Sequence, residues 1–232
     1  MHLENTTRLY TPEVRLLMLD LDNTLVDRAA AFHRWAARYA RALGGDEADI
    51  EWLIAQDADG YRPREELAAS IAEHFGLNGT AQDTILEVLR AGLVEEMAVD
   101  PEVTAGLQRA RSMGWTLVAV TNGTVMQQER KIRHLELDAC LDGWVISEAV
   151  GIKKPDSLIF EIAAQQAGSS LNQAWMVGDH PTTDIWGAHA VGAFTCWVRR
   201  GRVWSQTTYR PTAEADDCAT ALSLILDLPE DE

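Results

Sequence analysis

A short apolar run, Arg15-Leu-Leu-Met-Leu, is followed by the carboxylates Asp20 and Asp22, which predicts a buried strand that ends in a polar turn. Side chains alternate in direction along a strand, so both carboxylates can converge on one site only if the chain turns directly after Asp20. Asn23 and Thr24 favour such a turn because both can hydrogen-bond to nearby backbone. Taken alone, these residues fit an ordinary strand end equally well.

Helical spacing dominates the next part of the chain, from about Asp27 to Val99. Phe32, Trp35, Ala36 and Tyr39 recur at i, i+3, i+4 and i+7, which is typical of one apolar helix face. This first helix is predicted to stop at Gly44-Gly45, and further helices are predicted over Asp46 to about Ala58, Pro63 to Phe75, and Thr80 to Met97. The block has the position of an insertion between the first strand and the rest of a core.

From Asp100 onward the pattern alternates between helices and short apolar strands. The predicted strands cover residues 115–120, 144–147, 174–177 and 193–198. The predicted helices cover residues 101–113, 125–134, 157–167, 184–191 and about 219–226. Such alternation predicts an α/β fold, a three-layer Rossmann-like parallel sheet core with an inserted helical cap. Residues 1–26 and 100–232 would form the core and residues 27–99 the cap.

Composition and charge limit the classes of partner that the chain is expected to bind. The chain is 47% hydrophobic and 24% charged, as expected of a globular protein, and its net charge of -16 disfavours nucleic acid and anionic membrane surfaces. We expect no signal peptide, since residues 1–13 hold no apolar core segment, and no run of about 20 apolar residues that could span a bilayer. Three scattered cysteines, Cys140, Cys196 and Cys218, predict reduced thiols and a cytoplasmic protein.

Polar clusters follow four predicted strands, so we expect them to meet at one edge of the sheet. They are Asp20 with Asp22, Thr121-Asn122-Gly123, Lys153-Lys154-Pro155, and Gly178-Asp179 with Asp184. Three carboxylates suit Mg2+, which binds few protein oxygens and keeps waters and a substrate phosphate as its other ligands. A donor-rich turn at a helix N-terminus suits an anion, and a held lysine adds positive charge. Together with a carboxylate nucleophile, these groups predict phosphoryl transfer through an aspartyl-phosphate.

These four clusters, in this order, resemble the motifs of the haloacid dehalogenase superfamily of phosphatases. Asp20-Leu-Asp22-Asn-Thr24 resembles the first motif, Thr121-Asn122 the second, Lys154 the third, and Gly178-Asp179 with Asp184 the fourth. The helical block and Val145-Ile-Ser-Glu-Ala-Val-Gly151 are similar to the phosphoglycolate phosphatase-like and pyrimidine nucleotidase-like branch. The resemblance implies a phosphoric monoester hydrolase that uses Mg2+.

The resemblance also implies a role for each matching residue. Asp20 would be the nucleophile and Asp22 the general acid and base, with the Asp22 backbone carbonyl on Mg2+. Asp20 and Asp179 would be direct metal ligands, and Asp184 would orient Lys154 or a metal-bound water. The remaining roles are substrate contacts by Thr121, Asn122 and Gly123, and a charge-balancing role for Lys154, which would keep Asp20 ionised.

The sequence departs from the family pattern at His180-Pro181, where a small hydroxyl residue is more usual after the aspartate. His180 is the histidine nearest the predicted site, and the basic run from Arg199 to Arg202 is predicted to be a solvated loop. Lys154 is then the only cation predicted at the site, so Mg2+ would be needed to offset the negative field before a phosphate could bind.

Several functions stay open at this level. The expected substrate is a small phosphorylated metabolite, such as a sugar phosphate, phosphoglycolate or a nucleoside 5'-monophosphate. A dehalogenase or a phosphomutase of the same fold, or a non-catalytic binding protein, are the alternatives. The sequence is equally compatible with a monomer and a homodimer.

Overall fold

The computed structural model describes residues 14–77 and 79–229 of the chain. The expected lack of a signal peptide concerns residues 1–13, which lie outside these ranges. Six parallel strands form one sheet in the order β3-β2-β1-β4-β5-β6. The strands are β1 (Arg15–Leu19), β2 (Trp115–Thr121), β3 (Gly143–Ile146), β4 (Trp175–Gly178), β5 (Phe194–Val198) and β6 (Ala213–Ala215).

Helices account for most of the remaining described residues. Four of them lie in the segment that is inserted between β1 and the fifth helix: α1 (Arg28–Ala42), α2 (Glu47–Asp57), α3 (Arg64–His74) and α4 (Gln82–Glu95). The others are α5 (Pro101–Ser112), α6 (Val125–His134), α7 (Ser147–Val150), α8 (Ser157–Ala167), α9 (Gly187–Ala190) and α10 (Cys218–Leu226). Short 3-10 turns cover Ala58–Gly60, Leu137–Ala139 and Leu171–Gln173, and a π-helical turn covers Pro181–Trp186.

The central strands are buried on both faces. On β1, Leu17 and Leu19 pack into one apolar cluster, while Leu16 and Met18 pack into a second cluster on the opposite face. This alternation follows from the period of two along a strand. Helices therefore cover both sides of the sheet, and the predicted α/β three-layer architecture is confirmed.

The inserted helices share an apolar cluster with one face of the sheet. Phe32 and Trp35 of α1 belong to the same buried cluster as Leu17 and Leu19 of β1. The first helix begins where the side chain of Asp27 accepts a hydrogen bond from the Ala30 backbone N–H at 2.9 Å. The division into a core and a cap at residues 27 and 99 stays a prediction.

Two details differ from the sequence prediction. The helix predicted over residues 184–191 begins earlier, as the π-helical turn Pro181–Trp186, because His180 caps the preceding residues. The short edge strand β6 was not predicted, since three residues carry too little alternation to be recognised. No helix in the described ranges has both the length and the apolar character needed to cross a membrane.

Candidate active site

The carboxyl ends of β1, β2 and β4 bring the predicted clusters together around one cavity. This cavity has a volume of about 560 Å³ and includes Asp20, Thr121, Lys154, Asp179 and Asp184 in its lining. The turn after β1 makes the arrangement possible, because Asn23 adopts a φ of 62°, a left-handed conformation that asparagine tolerates. Asp22, Asn122 and Gly123 line the same cavity.

Lys154 lies between two carboxylates. Its Nζ is 2.6 Å from Asp20 Oδ1 and 2.7 Å from Asp184 Oδ1, and all three side chains are almost entirely buried. Asn122 fixes the lysine backbone, since its Nδ2 donates to Lys154 O at 3.0 Å and its Oδ1 accepts from Lys154 N at 2.9 Å. The pKa of Lys154 lies above its usual value because Asp184 and Asp20 outweigh the effect of burial. Lys154 is therefore held as a cation beside Asp20.

The pKa of Asp20 is raised to about 8, mainly by burial. Lys154 lowers it, whereas the neighbouring carboxylates of Asp184 and Asp179 raise it further. Burial and Asp184 likewise raise the pKa of Asp179 to about 6, against the opposing effect of Arg202 and Arg200. Ionising this group of acids together is thus costly without additional positive charge.

The carboxylates of Asp20, Asp179 and Asp184 lie within 4.8 Å of one another. Three buried carboxylate oxygens at this spacing form a donor set that fits a small, hard divalent cation such as Mg2+. A cation there would also favour the ionised form of Asp20. The side chain of Asp22 lies outside this group, which leaves its backbone carbonyl as the atom for its predicted metal contact.

Asp22 is bound instead by α6. Lys131 Nζ is 2.6 Å from Asp22 Oδ2 and 2.8 Å from Oδ1, and Gln128 Nε2 donates to Oδ2 at 3.1 Å. Burial alone would raise the pKa of Asp22, but Lys131 and Arg28 outweigh it and hold the pKa below its usual value. The carboxylate is consequently ionised in this arrangement.

Gln128 also links Asp22 to the second cluster, because its Nε2 donates to Thr121 Oγ1 at 2.6 Å. Gly123 N donates to Ser147 Oγ at 3.0 Å, so this predicted phosphate donor is bonded within the protein. Sequence reasoning missed both Gln128 and Lys131. The available signal was two polar residues on the face of α6 that also carries the buried Ile132.

Asp179 is contacted by two arginines. Arg200 Nη1 and Arg202 Nη2 lie 3.1 and 3.0 Å from Asp179 Oδ2, and Trp197 Nε1 donates to the Asp179 backbone carbonyl at 2.8 Å. The prediction that the basic run from Arg199 to Arg202 is a solvated loop is therefore wrong for these two residues. The run follows β5 directly, so it reaches the same edge of the sheet as the carboxylates. Lys154 is accordingly not the only cation at the site.

His180 shapes the loop after Asp179. Its Nδ1 accepts hydrogen bonds from the backbone N–H groups of Thr182 and Thr183, and its own backbone N–H donates to Asp184 Oδ2 at 2.9 Å. Burial lowers the pKa of His180, which favours the neutral ring that this acceptor role requires. The imidazole thus caps the turn at the position where the sequence departs from the family pattern.

Comparisons with known proteins agree on one family. Residues 14–192 match the family described as haloacid dehalogenase-like hydrolases. A glyceraldehyde 3-phosphate phosphatase of Pyrococcus abyssi is 38% identical over 200 residues, covering 82% of this chain and 83% of the relative. A phosphoserine phosphatase of Thermus thermophilus is 39% identical over 228 residues, covering 81% and 90%. The crystal structure of a 2-haloacid dehalogenase from Pseudomonas syringae pv. Tomato DC3000 superimposes with a TM-score of 0.60 at 26% identity, covering 91% and 98%.

Proposed function

The chain belongs to the haloacid dehalogenase-like hydrolases, and from this premise we propose that it is a Mg2+-dependent phosphatase of a small phosphomonoester. The observation that carries the proposal is the buried contact of Lys154 with Asp20 beside two further carboxylates. Phosphatases among the similar proteins support the same reaction class. The expected substrates are a sugar phosphate, phosphoglycolate or a nucleoside 5'-monophosphate, and three buried free cysteines support a cytoplasmic setting.

Asp20, Asp179 and the backbone carbonyl of Asp22 would hold Mg2+, with Asp184 close enough to contribute. When bound, the ion supplies positive charge against the phosphoryl oxygens and favours the carboxylate form of Asp20. Lys154 adds a fixed positive charge on the same carboxylate.

In the first step, a carboxylate oxygen of Asp20 forms a bond to phosphorus while the bond from phosphorus to the ester oxygen breaks. Asp22 gives a proton to the departing alkoxide. Because Lys131 holds Asp22 ionised, Asp22 must first take up a proton from the solvent as its carboxyl group turns from Lys131 toward the ester oxygen, and it then donates that proton. Asp22 then takes a proton from water, which attacks the aspartyl-phosphate, releases inorganic phosphate and restores Asp20.

A dehalogenase is the second candidate, because the similar solved structure from Pseudomonas syringae is that of a 2-haloacid dehalogenase. A halide leaving group needs neither a proton donor nor a metal-binding set of acids. The buried Asp179 and Asp184 beside Asp20 therefore favour the phosphatase.

Release of inorganic phosphate from a panel of phosphorylated metabolites, with and without EDTA, tests the proposal. We expect turnover that EDTA abolishes, and no halide release from 2-haloacids.

Asp20→Asn should remove at least about three orders of magnitude of the rate, since the nucleophile is lost at unchanged volume. Asp227→Asn, which removes an exposed acid at the end of α10, is the matched control. More than about a tenth of normal activity in folded Asp20→Asn protein would exclude the proposed nucleophile.

A further inference from the structure

A second cavity of about 830 Å³ adjoins the catalytic one and is strongly basic. The two cavities share Asp22, Arg28 and Lys153 in their linings, so a ligand could reach from one into the other. The remaining basic side chains in the lining are Arg62, Arg64, Arg90, Arg130 and Lys131. The acidic ones are Asp22, Glu65 and Glu148. This excess of positive charge is opposite in sign to the net charge of -16.

Two arginines of this lining, Arg28 and Arg64, belong to a buried triad with Asp57. Arg28 binds Asp57 through two hydrogen bonds of 2.8 and 2.7 Å, and Arg64 Nη1 contacts the same carboxylate at 2.5 Å. The side chains are only 5%, 3% and 14% exposed for Arg28, Asp57 and Arg64. Two guanidinium groups share one carboxylate, so one positive charge is uncompensated within the triad.

Desolvating an uncompensated charge is unfavourable unless a further group pairs with it. Burial and the neighbouring Arg28 both lower the pKa of Arg64, with Asp57 and Asp22 acting in the opposite direction. Arg64 uses Nη1 for Asp57 and Nη2 for the carbonyl of Gly60 at 2.8 Å, and a guanidinium has five N–H donors. Donors thus remain for an anion in the cavity.

The triad also lies close to the reacting group. Lys131 contacts Asp22 directly, and the charges of Arg28 and Arg64 act on Lys131. Asp22 must approach the ester oxygen to about 3 Å when it donates its proton. An anion that binds between Arg64 and Lys131 would therefore be attached to the substrate only a few bonds from that oxygen.

We propose that the substrate carries a second anionic group within a few bonds of its phosphate ester oxygen, and that Arg64, supported by Arg28 and Lys131, binds it. The inference rests on the proposed phosphatase activity of the same site. A carboxylate and a second phosphate share the required chemistry, since both pair with a guanidinium through charge-assisted hydrogen bonds. The substrate class is then a short phosphorylated acid or a short bisphosphate.

Matched ester pairs measure the contribution of the second anion. O-phosphoserine and phosphoethanolamine differ by one carboxylate, and propane-1,3-diol bisphosphate and propyl phosphate differ by one phosphate. We expect kcat/KM to favour the member with two anionic groups by at least about tenfold in one pair, the scale of one charge-assisted hydrogen bond. The pair that shows the preference identifies which anion the cavity accepts.

Arg64→Gln should reduce that preference to about threefold or less, while Arg64→Lys should keep part of it because the charge is retained. Arg64→Gln leaves the Arg28 and Asp57 pair intact, so the fold should survive. Arg38→Gln removes the same charge from an exposed position of α1 and should leave the preference unchanged. A wild-type ratio near one in both pairs, or an unchanged ratio in Arg64→Gln, would overturn the inference while leaving the phosphatase intact.

Binding measurements separate the inference from the reaction. With Asp20→Asn protein in the presence of Mg2+, calorimetry compares the affinities for the two members of each pair without turnover. We expect the same preference and the same loss in the double variant with Arg64→Gln. Equal affinities would reject the second-anion site, whether or not the wild-type protein releases phosphate. Absent phosphate release together with a retained binding preference would reject only the proposed function.

Discussion

Asp20 combines two requirements that conflict in a buried site. A nucleophilic carboxylate must be ionised, yet burial and two neighbouring carboxylates raise the pKa of Asp20 to about 8. Lys154 opposes this shift through direct contact at 2.6 Å, but it is shared with Asp184. Residue chemistry alone therefore calls for a further cation beside Asp20, which is the physical argument for a metal at this position.

The pH dependence of catalysis should report this balance. If ionised Asp20 is the nucleophile, kcat/KM rises with pH as Asp20 loses its proton. A bound cation favours the carboxylate, which lowers its pKa, so added Mg2+ should shift the acidic limb of the profile to lower pH by at least about one unit.

The measurement compares pH profiles at limiting and saturating Mg2+. Ionisation of the substrate phosphate near pH 6 provides an internal reference, because it belongs to the substrate and not to Asp20. An acidic limb that stays at the same pH at both Mg2+ concentrations would show that Asp20 is not the group that the metal ionises.

At the level of elements, the end of β4 has no room for a side chain at Gly178. A Cβ on Gly178 would lie 2.4 Å from the Cβ and Oδ2 atoms of Asp184, which is far inside contact distance. Asp184 in turn contacts Lys154, so the glycine allows the fourth cluster to approach the third. The Gly-Asp sequence thus has a steric reason that is independent of the metal.

Gly178→Ala should move Asp184 and loosen its hold on Lys154. We expect activity to fall by about 10 to 100-fold, the usual cost of displacing a residue that orients an active group. Overpacking at this position should also lower the free energy of unfolding by about 1 to 3 kcal/mol.

Gly79→Ala provides the control for the glycine substitution, because a Cβ there meets nothing within 4 Å. Steady-state rates and urea unfolding of both variants give the comparison. Normal activity in Gly178→Ala would mean that Asp184 need not lie against the backbone of β4.

The sequence is informative about this fold because its strongest signals are local. Apolar runs such as those of β1 and β2 and the 3.6-residue spacing of α1 place most elements within a few residues of their observed bounds. Motif order also placed Asp20 and Lys154 at one sheet edge. The sequence does not predict the edge strand β6, because it has three residues and forms only by pairing with β5. It does not predict the π-helical turn either, because that turn depends on the cap by the His180 side chain.

Long-range polar contacts are the part of the site that local pattern does not reveal. Lys131 lies on a helix far along the chain from Asp22, and nothing in the local sequence says which acid it meets. From the sequence, Arg200 is predicted to be a charged residue in a solvated loop, and only the position of β5 in the sheet brings it beside Asp179. These contacts depend on topology, and they determine both the charge of the site and the pKa of its acids.

At the scale of the whole molecule, charge is distributed unevenly. The net charge of -16 would repel a phosphate dianion. The sequence predicts that Mg2+ offsets this repulsion, with Lys154 as the only local cation. The basic cavity and the arginines on Asp179 show that Lys154 is not the only cation near the site, whereas the need for Mg2+ in phosphate binding stays a prediction. The cavity that adjoins the site therefore carries a charge opposite in sign to the net charge of the chain.

The inserted helices also contact the core across the site, through the turn at residues 58–61. Asp59 accepts a hydrogen bond from Asn23 Nδ2 at 3.1 Å and pairs with Arg200 Nη1 at 3.0 Å. Tyr61 packs edge-on against His180 with ring centroids 5.4 Å apart. Because Arg200 binds Asp179 as well, one side chain joins the cluster of buried carboxylates to the inserted segment.

We expect the inserted helices to move relative to the core, with hinges at Val26 to Arg28 and Val99 to Pro101, because the site has to admit a substrate and then exclude water. Asp59→Asn removes the ion pair with Arg200, so opening should become easier. A partly exposed ion pair contributes at most about 1 kcal/mol, which corresponds to a rise of a few-fold in amide exchange at both hinges.

Hydrogen exchange of the Asp59→Asn variant and the wild-type protein measures this rise, with Asp83→Asn at the start of α4 as a control of equal charge change. Because the ion pair opposes opening and not the hinge itself, exchange should rise at both hinges together. A rise confined to one hinge, or equal exchange in Asp59→Asn and the wild-type protein, would show that Arg200 does not restrain the inserted helices.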